Sequence, residues 1–143
     1  MKFFKKKAMG FTLIELMVAI SIVAVLAVVA MTSFTRANMR ARDGKRKADL
    51  EQVRGALEMY RTAQGSYPAT GWDAMMTILT STSDQYLSSE ISDPKDAAPY
   101  IYSYTTPALP HVYSVCAVFE TGSDSGDQPG LTCNGSQCCL YNP

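Results

Sequence analysis

The chain has 143 residues, of which 47% are hydrophobic and 18% charged, so it is long enough for one domain and too apolar for wholesale disorder. Thirteen basic and thirteen acidic residues cancel, but they lie in blocks: residues 1–10 carry +4, residues 36–61 carry +4 and residues 62–143 carry −7. His111 is the sole histidine and no phosphate-binding glycine loop occurs. Histidine-dependent catalysis, multi-histidine metal sites and most soluble enzyme classes are therefore poor interpretations.

The first predicted element is a long apolar segment behind a basic leader. Residues 16–35 form a run of twenty uncharged residues that is apolar on every side. At about 1.5 Å per residue the run is roughly 30 Å long, the thickness of a bilayer core. It predicts a single transmembrane helix. The alternative is a buried core helix, which the remaining residues are too few to enclose.

Glu15 stands at the start of this segment, and no basic residue lies between Ala8 and Thr35. A carboxylate near membrane depth costs on the order of 2 to 3 kcal/mol, so Glu15 calls for a cation from outside its own helix. The alternative is a solvated carboxylate at headgroup level with no role. Just before it, the Gly10–Phe11 bond is a candidate cleavage site, because glycine leaves the backbone accessible to a protease.

Residues 10–16, Gly-Phe-Thr-Leu-Ile-Glu-Leu, resemble the class III signal of type IV pilins and the related pseudopilins. The resemblance implies that a prepilin peptidase cleaves between Gly10 and Phe11 and methylates the new amine of Phe11. It also implies that Glu15 is the assembly carboxylate, which pairs with the Phe11 amine of a neighbouring subunit. Many members of this family carry a proline near the twenty-second residue after the cleavage site. This chain has Thr32 at that position.

The next predicted element is the amphipathic continuation of the same helix. Apolar residues recur at helical spacing, and Gly65 followed by Pro68 predicts the helix end. We therefore expect one helix over residues 11–63, with a membrane half at 11–35 and an amphipathic half at 36–63. The apolar stripe consists of Leu50, Val53, Leu57 and Tyr60.

A cluster of basic residues occupies the start of the amphipathic half. We interpret it as a solvated face, or as a face that meets the acidic head of a neighbouring subunit. Nucleic-acid binding is the weaker alternative, because no aromatic residues are interleaved with the bases. The cluster comprises Arg40, Arg42, Lys45, Arg46 and Lys47.

Residues 64–143 predict a globular head. We expect a short helix or turn at 72–79 and a three- or four-stranded antiparallel meander packed on the apolar stripe, which is an α+β fold. Asp93-Pro94 followed by Tyr100 resembles a stretch of many pilin-family heads. The candidate strands are residues 100–104, 112–119, 131–133 and 139–141.

All four cysteines, Cys116, Cys133, Cys138 and Cys139, lie in the predicted head. An even number in one region predicts two disulfides with three connectivities, whereas a zinc site lacks a CxxC pair and a nearby histidine. Ring strain disfavours a bond between the adjacent pair, so we favour Cys133–Cys138 with Cys116–Cys139. Disulfides need an oxidising compartment. The head is thus expected outside the cytoplasm, although the bases flanking the apolar segment favour the opposite orientation.

A flexible acidic loop offers weak calcium candidates. Glu120, Asp124 and Asp127 lie in one Gly/Ser-rich segment, but their spacing does not match an EF-hand. The simpler interpretation is a solvated loop, with no cofactor.

The sequence predicts a structural subunit and no enzyme. The main hypothesis is a pilin that polymerises with itself into a type IV pilus-like surface filament. The alternative is a pseudopilin of a type II secretion or DNA-uptake system. The expected partners are further copies of the chain, the prepilin peptidase and a pilus or secretion assembly platform. Before assembly the chain would span the cytoplasmic membrane once. A membrane-anchored enzyme is the competing class, and the head offers no nucleophile–base pair to support it.

Overall fold

The computed structural model describes residues 10–81, 85–106, 112–122 and 130–142. Within these residues it forms two helices, α1 (Leu13–Gln64) and α2 (Trp72–Leu79), and four strands, β1 (Ser103–Thr105), β2 (Ser114–Val118), β3 (Leu131–Asn134) and β4 (Gln137–Tyr141). One long helix with a small antiparallel sheet is the predicted α+β class, which is confirmed. The chain divides into two compact units, with the boundary between Ala37 and Asn38.

The first unit holds the N-terminal part of α1. Its apolar side chains are exposed all around, from Leu13 at 75% to Phe34 at 69%. Among the described residues, α1 alone is long and apolar enough to cross a membrane. Such a surface favours lipid or other apolar helices over water.

The core of the second unit forms on the predicted apolar stripe. Leu50, Val53 and Leu57 are fully buried, and Tyr60 is half-buried against them. The helix ends one residue after the predicted position. Gly65 adopts a φ of +81°, and its N–H donates to the carbonyl of Arg61 at 2.7 Å. A left-handed residue of this kind stops a helix and satisfies a terminal carbonyl.

The sheet is antiparallel with strand order β1-β2-β4-β3, so the predicted meander is wrong. A meander would place β3 next to β2, but β4 takes that position. The reason is burial: Cys138 and Leu140 of β4 are enclosed, whereas β3 is only half-covered and lies at the edge.

The helix α2 and an aromatic group complete the core of the second unit. Met75, Met76 and Leu79 of α2 are fully buried. Tyr113 lies beside Tyr67 with ring centroids 4.6 Å apart in an edge-to-face arrangement. Such pairs add stability beyond the area they bury.

Candidate functional site

The N-terminal end of α1 is organised by Thr12 and Glu15. The Thr12 N–H and its hydroxyl both donate to Glu15 Oε2, each at 2.8 Å, and the Glu15 N–H donates to Thr12 Oγ1 at 3.2 Å. This is a capping box, in which a residue before the helix and the third helical residue satisfy each other's free backbone donors. The bonds within this pair use a single carboxylate oxygen. Glu15 therefore caps its own helix while its other oxygen lies free of Thr12.

The predicted processing and assembly residues all lie on the surface of the first unit. Gly10 is exposed, Phe11 is 91% exposed, and Glu15 is exposed as well. This accessibility suits a bond that a protease must reach and a carboxylate that another subunit must reach. The leader before Gly10 lies outside the described residues.

A buried ionic cluster is the main polar feature of the second unit. Its centre is Arg46, whose side chain is fully buried. The Arg46 Nε and Nη2 donate to the two carboxylate oxygens of Asp93, at 2.6 and 2.9 Å. Arg46 Nη1 donates to Asp43 Oδ1 at 2.7 Å and to Glu120 Oε1 at 3.1 Å. A bidentate, charge-assisted pair of this kind is among the strongest hydrogen-bonded arrangements.

Glu120 closes the other side of the ionic cluster. Arg42 donates to both of its carboxylate oxygens, at 2.6 and 2.7 Å, and Lys95 Nζ lies 2.8 Å from Glu120 Oε2. The ring of Tyr100 lies 4.9 Å from the Arg46 guanidinium and 4.2 Å from Lys95 Nζ. Three cations thus face three carboxylates, so the cluster is neutral although its centre is buried.

Asp43 connects this cluster to the backbone after β2. Its carboxylate accepts the N–H groups of Glu120 and Thr121, at 3.0 and 2.9 Å, and the Thr121 hydroxyl at 2.7 Å. Together with the ion pairs, these bonds fix the positions of α1, the segment at Asp93 and the end of β2 relative to one another.

The cluster favours the charged form of each of its acids. Burial raises the pKa of Asp43, but hydrogen bonds from the Glu120 and Thr121 backbone outweigh it and hold that pKa below its usual value. Burial raises the pKa of Asp93 too, and the Arg46 guanidinium reverses the shift. The Arg42 guanidinium is the main cause of the strongly lowered pKa of Glu120.

The predicted solvated basic face is therefore wrong for part of the basic cluster. Arg46 is buried and Arg42 is half-buried, and both pair with acids of the same chain. Arg40 and Lys45 are exposed, as predicted. The distinction could not be read from α1 alone, because two of the three acids that pair with Arg46, namely Asp93 and Glu120, lie 47 and 74 residues further along the chain.

Of the three weak calcium candidates, Glu120 lies among the described residues. Glu120 already faces Arg42, Arg46 and Lys95, so a divalent ion would have to displace cations to reach it. Asp124 and Asp127 lie outside the described residues. Among the described residues, no group of three or more His, Cys, Asp or Glu side chains could hold a metal ion.

The cysteines form two disulfides between directly opposed strand residues. Cys116 of β2 bonds Cys139 of β4, and Cys133 of β3 bonds Cys138 of β4. This is the pairing favoured from the sequence. Both bonds lie within the sheet of the second unit: Cys133–Cys138 joins the edge strand β3 to β4, and Cys116–Cys139 joins the interior strands β2 and β4.

Two family descriptions match the chain. The prokaryotic N-terminal methylation motif covers residues 5–31, and the family described as Type II secretion system (T2SS), protein G, covers residues 33–132. The chain belongs to the type II secretion protein G family. The two matches divide the chain much as the structure does, with the methylation motif on the first unit and most of the protein G match on the second.

Curated relatives carry the same family name. The chain is 27% identical to the type II secretion system core protein G of Vibrio cholerae over 133 residues, covering 87% of this chain and 89% of the relative. It is 26% identical to that of Pseudomonas aeruginosa, covering 85% and 90%. With the protein of Aeromonas hydrophila it shares 34% identity over 74 residues, about half of each chain. No solved structure shows significant similarity.

Membership in the protein G family, whose members are structural pseudopilin subunits, favours the pseudopilin alternative over the surface pilin. The capping role of Glu15 was not predicted, although the sequence contains its pattern. Thr12-x-x-Glu15 is a capping-box pattern, so the sequence indicates a helix-capping role for Glu15 in addition to the assembly role expected from the resemblance. No comparable local signal marks Asp93 or Glu120 as partners of Arg46.

Proposed function

We propose that this chain is a pseudopilin that polymerises into the filament of a type II secretion system after its leader is removed. The observation that carries the proposal is the protein G match over residues 33–132, directly after a methylation motif that contains Gly10, Phe11 and Glu15. The alternative predicted from the sequence is thus preferred to the surface pilus.

Processing creates the cationic partner that Glu15 lacks within its own helix. Cleavage after Gly10 creates an ammonium group at Phe11, and methylation preserves its charge. In a filament, an axially displaced neighbour would bring this group to Glu15, whose Oε1 is free of Thr12. A misplaced neighbour would leave a carboxylate unpaired among apolar helices, so this pair fixes the register of assembly.

The two units would have different locations and roles in the filament. The exposed apolar surface of the first unit would lie in the membrane before assembly and among other copies afterwards. The second unit, with its two disulfides, would lie on the oxidising side and form the surface of the filament. The ionic cluster stabilises this unit through ion pairs within the chain. The prepilin peptidase and a secretion assembly platform are the partners of the chain during maturation.

Deletion of the gene tests this function. We expect export of type II secretion substrates to stop, and to return with the wild-type chain but not with Glu15→Ala. The Glu15→Ala chain should still be found in the membrane fraction. Normal export in the deletion strain, together with loss of long surface fibres that contain the chain, would contradict the proposal and favour the pilus.

A further inference from the structure

Among the described residues of the second unit, most charged side chains are neutralised within the chain, and the charges that remain lie in two separate groups. Arg40 and Lys45 are exposed on α1 and form no ion pair with any residue that the structure describes. Asp73, Glu90 and Asp96 are likewise exposed and unpaired within the described ranges. Within the part of this unit that the structure describes, one group thus holds two free cations and the other three free anions.

The three free acids share a groove of about 450 Å³, which we call the acidic groove. Trp72 and Tyr102 line it with ring centroids 5.2 Å apart, and Ile101, which is 55% exposed, lies beside them. Asp93 also lines the groove, but Arg46 holds it. Carboxylates around an aromatic wall attract a guanidinium or ammonium group, and the apolar wall accepts its aliphatic stem.

The free cations flank a stripe of small residues on α1. Ala41, Gly44 and Ala48 are exposed, and at 3.6 residues per turn Arg40 and Lys45 stand about 140° apart, on either side of them. A Cβ built on Gly44 meets nothing within 4 Å, so the fold itself does not require glycine there. We call the exposed residues Arg40, Ala41, Gly44, Lys45 and Ala48 the basic helix face. Its small residues allow a second backbone or sheet edge to approach while the long cations reach past it.

We propose that the acidic groove receives the basic helix face of a second copy of this chain, with Arg40 and Lys45 of one subunit pairing with Asp73, Glu90 and Asp96 of the next. The two surfaces differ, so the contact is head-to-tail, which is the kind of contact that can repeat along an open helical filament. The contact rests on the proposed function, because it is made between assembled subunits. The opposite charges of the acidic groove and the basic helix face also steer subunits together in the right orientation.

Photo-crosslinking in cells tests the contact directly. A photoreactive phenylalanine analogue replaces Ile101 in the full-length chain, with Tyr141, which is 47% exposed and outside the groove, as the matched control position. We expect the Ile101 position to crosslink to a second copy, on the chymotryptic fragment from Arg40 to Leu50. The proposed contact is wrong if position 101 crosslinks to another fragment or to another protein. It is also wrong if position 101 forms no crosslink although filaments form.

Charge reversal and its repair complete the test. Asp73→Lys with Glu90→Lys should lower the crosslink yield by about tenfold or more, and so should Arg40→Glu with Lys45→Glu. Combining all four changes should restore it, whereas a control with Thr132→Lys and Gln137→Lys should match wild type. Equal yields in all variants would overturn the contact alone. A wild-type chain that neither enters filaments nor supports export would overturn the proposed function, and the contact with it.

Discussion

At the scale of single residues, a conservative substitution separates the capping role of Glu15 from its proposed role in assembly. Glutamine is also accepted in a capping box, so Glu15→Gln keeps an acceptor for Thr12 but removes the charge. We expect Glu15→Gln to leave helix content and membrane insertion unchanged and to impair assembly as strongly as Glu15→Ala. Circular dichroism in detergent and filament yield measure the two effects. Normal assembly by Glu15→Gln would show that capping, and not charge, is what Glu15 supplies.

Arg46 is the residue on which the second unit depends most. Removing one member of a buried ion pair leaves the other charge uncompensated, at a cost of about 3 to 5 kcal/mol. Arg46→Met would expose Asp93 and Asp43 to that penalty. We expect the free energy of unfolding to fall by this amount, measured by chemical denaturation of the full chain in detergent.

The matched control for this measurement is the preceding residue. Lys45 is exposed and makes no ion pair within the described residues, so Lys45→Met should change the free energy of unfolding by no more than about 0.5 kcal/mol. Equal effects of Lys45→Met and Arg46→Met would refute the assignment of the buried cluster.

At the scale of elements, the two disulfides are expected to contribute unequally. Cys116 and Cys139 are 23 residues apart in sequence, and Cys133 and Cys138 are 5 apart. A longer closed loop restricts the unfolded chain more, by about 3 kcal/mol for the first bond against about 2 kcal/mol for the second. Replacing each pair by alanine and following thermal unfolding should rank the bonds in this order, and the reverse ranking would contradict it.

The elements also show what sequence patterns reveal and what they miss. The apolar stripe of α1, its end at Gly65 and the helix at Trp72–Leu79 followed from local periodicity and turn residues, because those signals act over a few residues. The strand order did not follow, since it depends on which of β3 and β4 is buried by residues far away in the chain. The burial of Arg46 did not follow either, since two of the acids that enclose it are also far away in the chain, and its local sequence does not distinguish it from the exposed Lys45.

At the scale of the whole molecule, the depressed pKa values predict acid sensitivity. Asp43, Asp93 and Glu120 have ordinary pKa values of 3.8, 3.8 and 4.5, and all three are lowered in the folded chain. A lowered folded-state pKa gives stability that is complete above the ordinary value and is lost as the pH falls below it. We expect the free energy of unfolding to be level above about pH 5 and to fall steadily below pH ~4. A profile that stays level down to pH 3 would contradict the electrostatic account.

The whole account depends on a chain that is cut before it assembles. Its most direct test is the intact mass and N-terminal sequence of the chain recovered from secretion filaments. The account predicts a chain that begins at Phe11 and carries one added methyl group on its amine. Filaments built from chains that still begin at Met1 would contradict it.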